Sequence, residues 1–284
     1  MHCRGACPPA SAEPRLRRSS DPRRIRWPER PPRGDTSLKI SVVTVSFNSA
    51  ATIADTLRSV AAQTHPDLEH IIIDGASTDA TMDIVRKEGT HVAHAISERD
   101  KGIYDAMNKG LALATGEFVA FLNSDDRYAD DRVLAEVAEA AVAGVDFVYG
   151  DIRMVNAEGQ TVREWKTGVV PIGGLTSTQI PHPALFVRRR LLDQISPAFD
   201  PTLRIASDLK QQLIFINRMG AKGAYLARTL VVMSLGGAST GSLSSYIAGW
   251  RESARAYNDV FGHGGVWFTT KKVLSKLRGI RQFS

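Results

Sequence analysis

Two kinds of apolar run take turns along the chain. From Lys39 it reads KISVVTVSF, a β-branched stretch that suits a strand covered on both faces. Asn48 and Ser49 then offer helix caps, and Ile53, Leu57 and Val60 recur at helical spacing until Pro66 ends the pattern. The cycle repeats. LEHIIID (68–74), VAHAIS (92–97) and EFVAFL (117–122) read as strands, and residues 77–88 and 102–114 read as helices. Strands alternating with helices predict an α/β fold: one Rossmann-like, mostly parallel sheet with helices on both faces.

Beyond residue 126 the pattern loosens. DFVY is followed by IRMVNAEGQTVREW, which alternates like a hairpin turning at Glu158-Gly159, and a Gly-rich loop covers 173–181. YLARTLVVMSL reads as a further strand, and a helix is expected around 245–258. The final residues, VWFTTKKVLSKLRGIRQFS, mix Val266, Trp267, Phe268, Val273, Leu274 and Leu277 with basic side chains. That composition suits a helix lying on an anionic membrane, and equally a terminal helix that packs its apolar stripe on the domain. The predicted organisation is therefore a tail (1–37), a globular domain (38–240, with halves 38–126 and 127–240) and a helical extension (241–284).

Composition changes the picture chiefly at the ends. The chain of 284 residues has a net charge of +6. Residues 1–37 hold nine arginines against four acids, residues 269–284 hold five basic residues and no acid, and the span between is left at −4. An acidic body disfavours nucleic acid as a partner. The tail carries seven of the thirteen prolines and both cysteines, and its poverty in large apolar residues predicts disorder. A cysteine-free body is neither a disulfide scaffold nor a thiolate metal site. No stretch reaches the length of a membrane span, and the tail has no secretory pattern, so the expected location is the cytoplasm, with contact at the inner face of the membrane left open.

In a parallel sheet the ligand crevice lies beyond the carboxyl ends of the strands. Those ends are polar here: Ser46-Phe47-Asn48, then DGASTD (74–79), ERDKG (98–102) and NSDD (123–126). Caps and turns account for any one of these loops. Carboxylates gathered at three of these four successive strand ends need a cation or ligand donors to offset their repulsion. The pair Asp125-Asp126 suits a hard cation such as Mg²⁺ or Mn²⁺, whose shell is completed by substrate phosphates. With no P-loop and no dinucleotide fingerprint in the sequence, metal is the expected partner of a nucleotide diphosphate.

The strings VVTVSFN, IIIDGASTDAT, DKGIYDAMNKGLALATGEFVAFLNSDD, HPALFVRR and ASDLKQQL, in this order over about 38–235, resemble the family 2 glycosyltransferases with the GT-A fold. The GIYDAMNKG segment is similar to the subgroup that builds bacterial exopolysaccharides, lipopolysaccharides and glycolipids. The resemblance implies an inverting enzyme that moves a sugar, hexosyl or N-acetylhexosaminyl, from a nucleotide-sugar donor such as a UDP-sugar to a saccharide or lipid-linked acceptor. It implies a metal contact for Asp126, and for Asp125 a role with ribose, sugar or the metal's water shell, beside Asn123. It gives Asp74 a uracil or ribose contact, with Thr44, Ser46 and Asn48 lining that pocket, and donor-side roles for Asp100 and Asp105. It makes Asp208 the general base, where spacing alone reads a helix cap, and it places His182 on the phosphate or acceptor side. Two residues depart from the family pattern: Gly75 stands where many members have a second Asp, and Asn123 where a full Asp-x-Asp begins. A sugar-phosphate nucleotidyltransferase and a non-catalytic sugar-binding protein are the alternatives.

Overall fold

The structure is a computed structural model that describes residues 17–18, 24–26, 38–171, 173–177, 179–234 and 243–280. The predicted disordered tail otherwise lies outside the described residues. Its described pieces are two short strands, β1 (Arg17–Arg18) and β2 (Arg24–Arg26). The sheet then builds through β3 (Ile40–Ser46), helix α1 (Ile53–Ala61), β4 (Leu68–Asp74), α2 (Thr81–Glu88), β5 (Val92–Ser97), α3 (Ile103–Leu113) and β6 (Phe118–Phe121). It continues with β7 (Asp126–Tyr128), α4 (Val133–Ala140), β8 (Phe147–Val155), β9 (Thr161–Trp165), β10 (Leu185–Arg188) and α5 (Arg189–Leu192). The chain closes through α6 (Ser207–Gln212), which runs into a π-helical turn (Leu213–Arg218), β11 (Gly223–Ser234), α7 (Leu243–Phe261) and α8 (Gly265–Ile280).

The eleven strands of the described residues form one sheet in the order β1-β2-β5-β4-β3-β6-β10-β8-β11-β7, with β9 paired to β8. The half expected to bind nucleotide is parallel: β3 pairs with β4 and with β6, and β4 with β5. Strand β10 then enters antiparallel between β6 and β8. It carries LFVR, the middle of the HPALFVRR motif, whose last Arg opens α5. The predicted hairpin is present as β8–β9.

The unbroken apolar texture of β3 and β4 has a simple cause, since each face meets its own layer. Val43, Val45, Ile71 and Ile73 pack with Tyr104 and Met107 of α3 and with Leu209, Leu213 and Phe215 beyond them. On the other face Ile72 meets Ile53 and Leu57 of α1 and Val85 of α2, while Ile40 and Val42 join Val60. The C-terminal extension belongs to the first of these cores: Ala256 of α7 and Phe268 of α8 are buried in it. No helix among the described residues is long and apolar enough to cross a membrane.

Helix α3 can approach β3 because Gly110 has no side chain; a Cβ there would lie 2.2 Å from Val43 Cγ1. Overpacking of this kind costs about 1–3 kcal/mol, more than the ~1 kcal/mol that alanine gains over glycine in a helix. Gly110→Ala is therefore expected to lower the urea midpoint with an unchanged slope, and a raised midpoint would contradict the close packing of α3 on β3.

Candidate active site

The carboxyl ends of β3, β4, β5 and β6 share one edge, and a single carboxylate ties three of them together. Asp74, the last residue of β4, is 0% exposed. Its Oδ1 accepts from the hydroxyl of Ser46, 3.0 Å away at the end of β3, and from the Ser77 hydroxyl. Its Oδ2 accepts from the Ser77 amide at 2.9 Å and from the Ser97 hydroxyl of β5 at 2.6 Å. A buried carboxylate demands such saturation. The contact with uracil or ribose expected of Asp74 has no free oxygen to make it, so Asp74 anchors the loops that surround the crevice, with Ser46 as one of its donors.

Above this knot the loops after β3 and β4 are laced to each other. The Asn48 amide donates to Ser77 Oγ at 2.7 Å, and Asn48 Oδ1 accepts from the Thr78 amide at 2.9 Å. Asn48 and Ala76 both sit in the left-handed region, with φ of 48° and 62°. For alanine that conformation costs on the order of 1 kcal/mol, held in place by the surrounding bonds. Asp100 lies over the same loop. A Cβ on Gly75 would meet Asp100 Oδ2 at 2.7 Å, so the carboxylate of Asp100 occupies the space into which a second Asp at position 75 would grow. Two other expected donor residues point elsewhere. Thr44 is 0% exposed and bonds His70 Nε2 at 2.9 Å inside the core, because β3 is covered on both faces. Asp105 turns back on its own helix start, accepting from the Lys101 amide at 3.1 Å and pairing with Lys109 at 3.6 Å.

At the end of β6 the chain bends through Asn123-Ser124-Asp125-Asp126, pinned by a 2.7 Å bond between Ser49 and Ser124. The structure buries Asp126, the residue to which the resemblance gives the metal contact. Asp126 opens β7, opposite Met233 of β11, and that pairing draws its side chain inside to 1% exposure. Asp125, at the bend, stays partly open to solvent. Burial, reinforced by the neighbouring Asp125 charge, holds the Asp126 carboxyl well above the usual carboxylate range; burial alone raises Asp125 more modestly. Asn123 Nδ2 donates to Asp126 Oδ2 at 3.1 Å, yet Asn123 Oδ1 and Asp126 Oδ1 are buried with no hydrogen-bond partner. Orphaned acceptors beside two raised carboxyls make a corner that lacks positive charge. Among the described residues no group of three or more His, Cys, Asp and Glu could cage a metal. The corner therefore fits a hard cation that takes one or two protein oxygens and completes its shell from a diphosphate, and not an all-protein site.

Across the end of β6 stands the second group of polar residues. Phe121, the last residue of β6, stacks on the His182 ring with centroids 5.3 Å apart, and Phe199 meets that ring edge-on at 5.4 Å. Burial pushes the His182 imidazole below its ordinary range, with the Asp208 carboxylate pulling the other way. Asp208 stands in the first turn of α6. Its Oδ1 is 3.3 Å from the Tyr104 hydroxyl, which donates to the Ile205 carbonyl at 2.8 Å, and its Oδ2 is 3.3 Å from Gln179 Nε2. Burial, and then the Asp208 charge, hold the Tyr104 phenol well above its usual pKa, so it remains a donor. Gln179 was not foreseen. It lies in a Gly-rich loop with no spacing signal, and only the fold brings it to a residue 29 positions away.

The profile of glycosyl transferase family 2 matches residues 41–207, more than half of the chain. The chain belongs to this family. A PGL/p-HBAD biosynthesis glycosyltransferase of Mycobacterium bovis is 35% identical over 175 residues, which cover 59% of this chain and 66% of that protein. An uncharacterized glycosyltransferase of Mycobacterium tuberculosis is 32% identical over 180 residues, covering 60% of this chain and 65% of that protein. The matched parts thus span just under two thirds of these relatives. Staphylococcus aureus TarS, solved with UDP, superposes with a TM-score of 0.58 at 23% identity, over 78% of this chain and 66% of that one. The mannosyltransferase PcManGT of Pyrobaculum calidifontis, solved with GDP-Man and Mn²⁺, gives 0.58 at 18% identity, over 88% and 77%. These likenesses agree with the GT-A fold of the family.

Replacing the buried carboxylate at the Asn123–Asp126 corner should stabilise the protein. In EDTA at neutral pH, Asp126→Asn is expected to raise the thermal midpoint by a few degrees, on the order of 1 kcal/mol, because an amide costs less than a carboxylate at an orphaned site. A lower midpoint would contradict this picture of the corner.

Proposed function

We propose that this chain transfers a sugar from a UDP-sugar to a saccharide or lipid-linked acceptor of cell-surface polysaccharide or glycolipid assembly, with inversion at the anomeric carbon. The observation that carries the reading is the pairing, around one strand end, of an acidic corner short of positive charge with a separate carboxylate, Asp208, held by neutral donors. Loops around Asn48, Ser77 and Asp100 border the nucleotide side, and Asp125 with Asn123 faces the diphosphate. The finding that TarS binds UDP, on a fold like this one, supports UDP as the nucleotide. Family membership favours glycosyl transfer over nucleotidyl transfer, and the retention of Asp125 and Asp208 speaks against a binding-only protein.

A bound divalent ion would supply Lewis-acid stabilisation of the departing diphosphate, held by Asp125 with Asn123 beside it. The rest falls to the chain's own residues. Asp208 takes the proton from the acceptor hydroxyl as its oxygen attacks the anomeric carbon. The bond between that carbon and the diphosphate breaks, and its electron pair leaves with UDP. Attack from the face opposite the leaving group inverts the configuration. Tyr104 and Gln179 orient the two oxygens of Asp208, and His182, kept neutral by burial, can offer a hydrogen bond without adding charge. Separate measurement of binding and turnover tests the assignment. Asp208→Asn is expected to retain UDP binding and to lose turnover by on the order of 10²–10⁴-fold; near-native turnover would remove Asp208 from the base role.

A peripheral membrane contact forms part of the same reading, and the surface of α8 supports it. Val266, Trp267 and Leu274 are 73%, 65% and 49% exposed on this helix, and Lys271 Nζ stands 5.0 Å from the centre of the Trp267 ring. Exposed aromatic and aliphatic groups interleaved with basic ones fit an anionic lipid surface. Co-sedimentation with phosphatidylglycerol vesicles is expected for the full chain and to fall severalfold for Trp267→Ser; no pelleting of the full chain would reject the contact.

A further inference from the structure

The segment that carries Asp208 is held from outside the family match. In the chain before α6, the amides of Arg204, Ile205 and Ala206 all point at one carboxylate, Glu252 of α7, at 3.0, 2.7 and 3.1 Å. Ala206 is the N-cap residue of α6, two positions before Asp208. A carboxylate from another helix thus accepts from three successive amides that lead into α6. The same α7–α8 pair reaches the other side of Asp208. Lys272 of α8 donates to Gln179 Oε1 and to Ser253 Oγ of α7 at 3.3 Å, and Gln179 presents its Nε2 to Asp208 Oδ2. A third tie joins α6 to α7 through Lys210, which bridges Asp200 and Asp259 at 2.8 Å each.

We propose that the α7–α8 hairpin sets the position of the base, with Glu252 as a positioning residue that fixes the 204–206 backbone and thereby the Asp208 carboxylate. The inference rests on the reading of Asp208 as the base. The Glu252 carboxylate is spent on the backbone amides of 204–206, so its loss should act on turnover and leave nucleotide binding alone. Misplacement of a reacting group by about 1 Å can cost 10²-fold, which sets the scale of the effect.

The test compares wild type, Glu252→Gln, Asp208→Asn and the double variant, using Mn²⁺-supported hydrolysis of a UDP-sugar as turnover and UDP titration as binding. Glu252→Gln is expected to lower kcat by 10- to 100-fold, with KM for the donor and UDP affinity changed less than threefold. In the Asp208→Asn background the same substitution should change kcat less than twofold, since Glu252 acts through Asp208. Amide hydrogen exchange gives a readout independent of activity: Glu252→Gln should accelerate exchange at 204–206. Native kcat, an equal loss in both backgrounds, a parallel loss of UDP affinity or unchanged exchange at 204–206 would each overturn the proposal. Near-native turnover of Asp208→Asn would instead overturn the base assignment beneath it.

Discussion

A carboxylate sealed from water has to find all its donors within the protein, and Asp74 finds them on three different segments. Ser46 brings the end of β3, Ser97 brings the end of β5, and Ser77 brings the loop that β4 itself runs into. Loss of any one donor would remove a hydrogen bond to a buried charge, at a cost of about 1.5–3 kcal/mol. This fixes the relative heights of three parallel strands and so the shape of the crevice floor. The left-handed backbone at Asn48 and Ala76 persists because the loops on either side are laced above it.

On that floor, burial divides the labour among carboxylates that look alike in the sequence. Asp74 is saturated by protein donors and serves the scaffold. Asp126, drawn inward by the pairing of β7 with β11, supplies an orphaned oxygen and a raised pKa without reaching solvent. Asp125 keeps an open face. Asp208 meets the Tyr104 phenol and the Gln179 amide, both neutral groups. The proposed single displacement draws on both places, the corner short of positive charge and the separate carboxylate of Asp208.

The legible part of this molecule was the part written in local periodicity. Strands β3 to β6 and their helices follow from β-branched runs and helical spacing, and the edge at which the chemistry collects follows from parallel order. The predicted helix from residue 77 starts instead at Thr81, because Ser77 and Asp79 spend their side chains on Asp74 and on Thr81. Strand β7, only three residues long, carries no periodic signal, and so the burial of Asp126 was out of reach of the sequence. The same holds for Glu252, whose amide partners lie 46 to 48 residues away, and for the C-terminal helices, whose Ala256 and Phe268 complete the core beneath α6. Family resemblance supplied Asp208 and His182; the neighbours that tune them came only from the fold.

The central claim is that the strand-end corner at Asp125 receives a metal–diphosphate while Asp208 stands apart from it. Crystals grown with UDP and Mn²⁺, measured at the manganese absorption edge, test this most directly. The account predicts one anomalous peak bridging the diphosphate and the Asp125 carboxylate, with the uridine bordered by Asn48 and Asp100 and with Asp208 outside the coordination shell. A peak on Asp208, or UDP bound away from the ends of β3, β4 and β6, would contradict it.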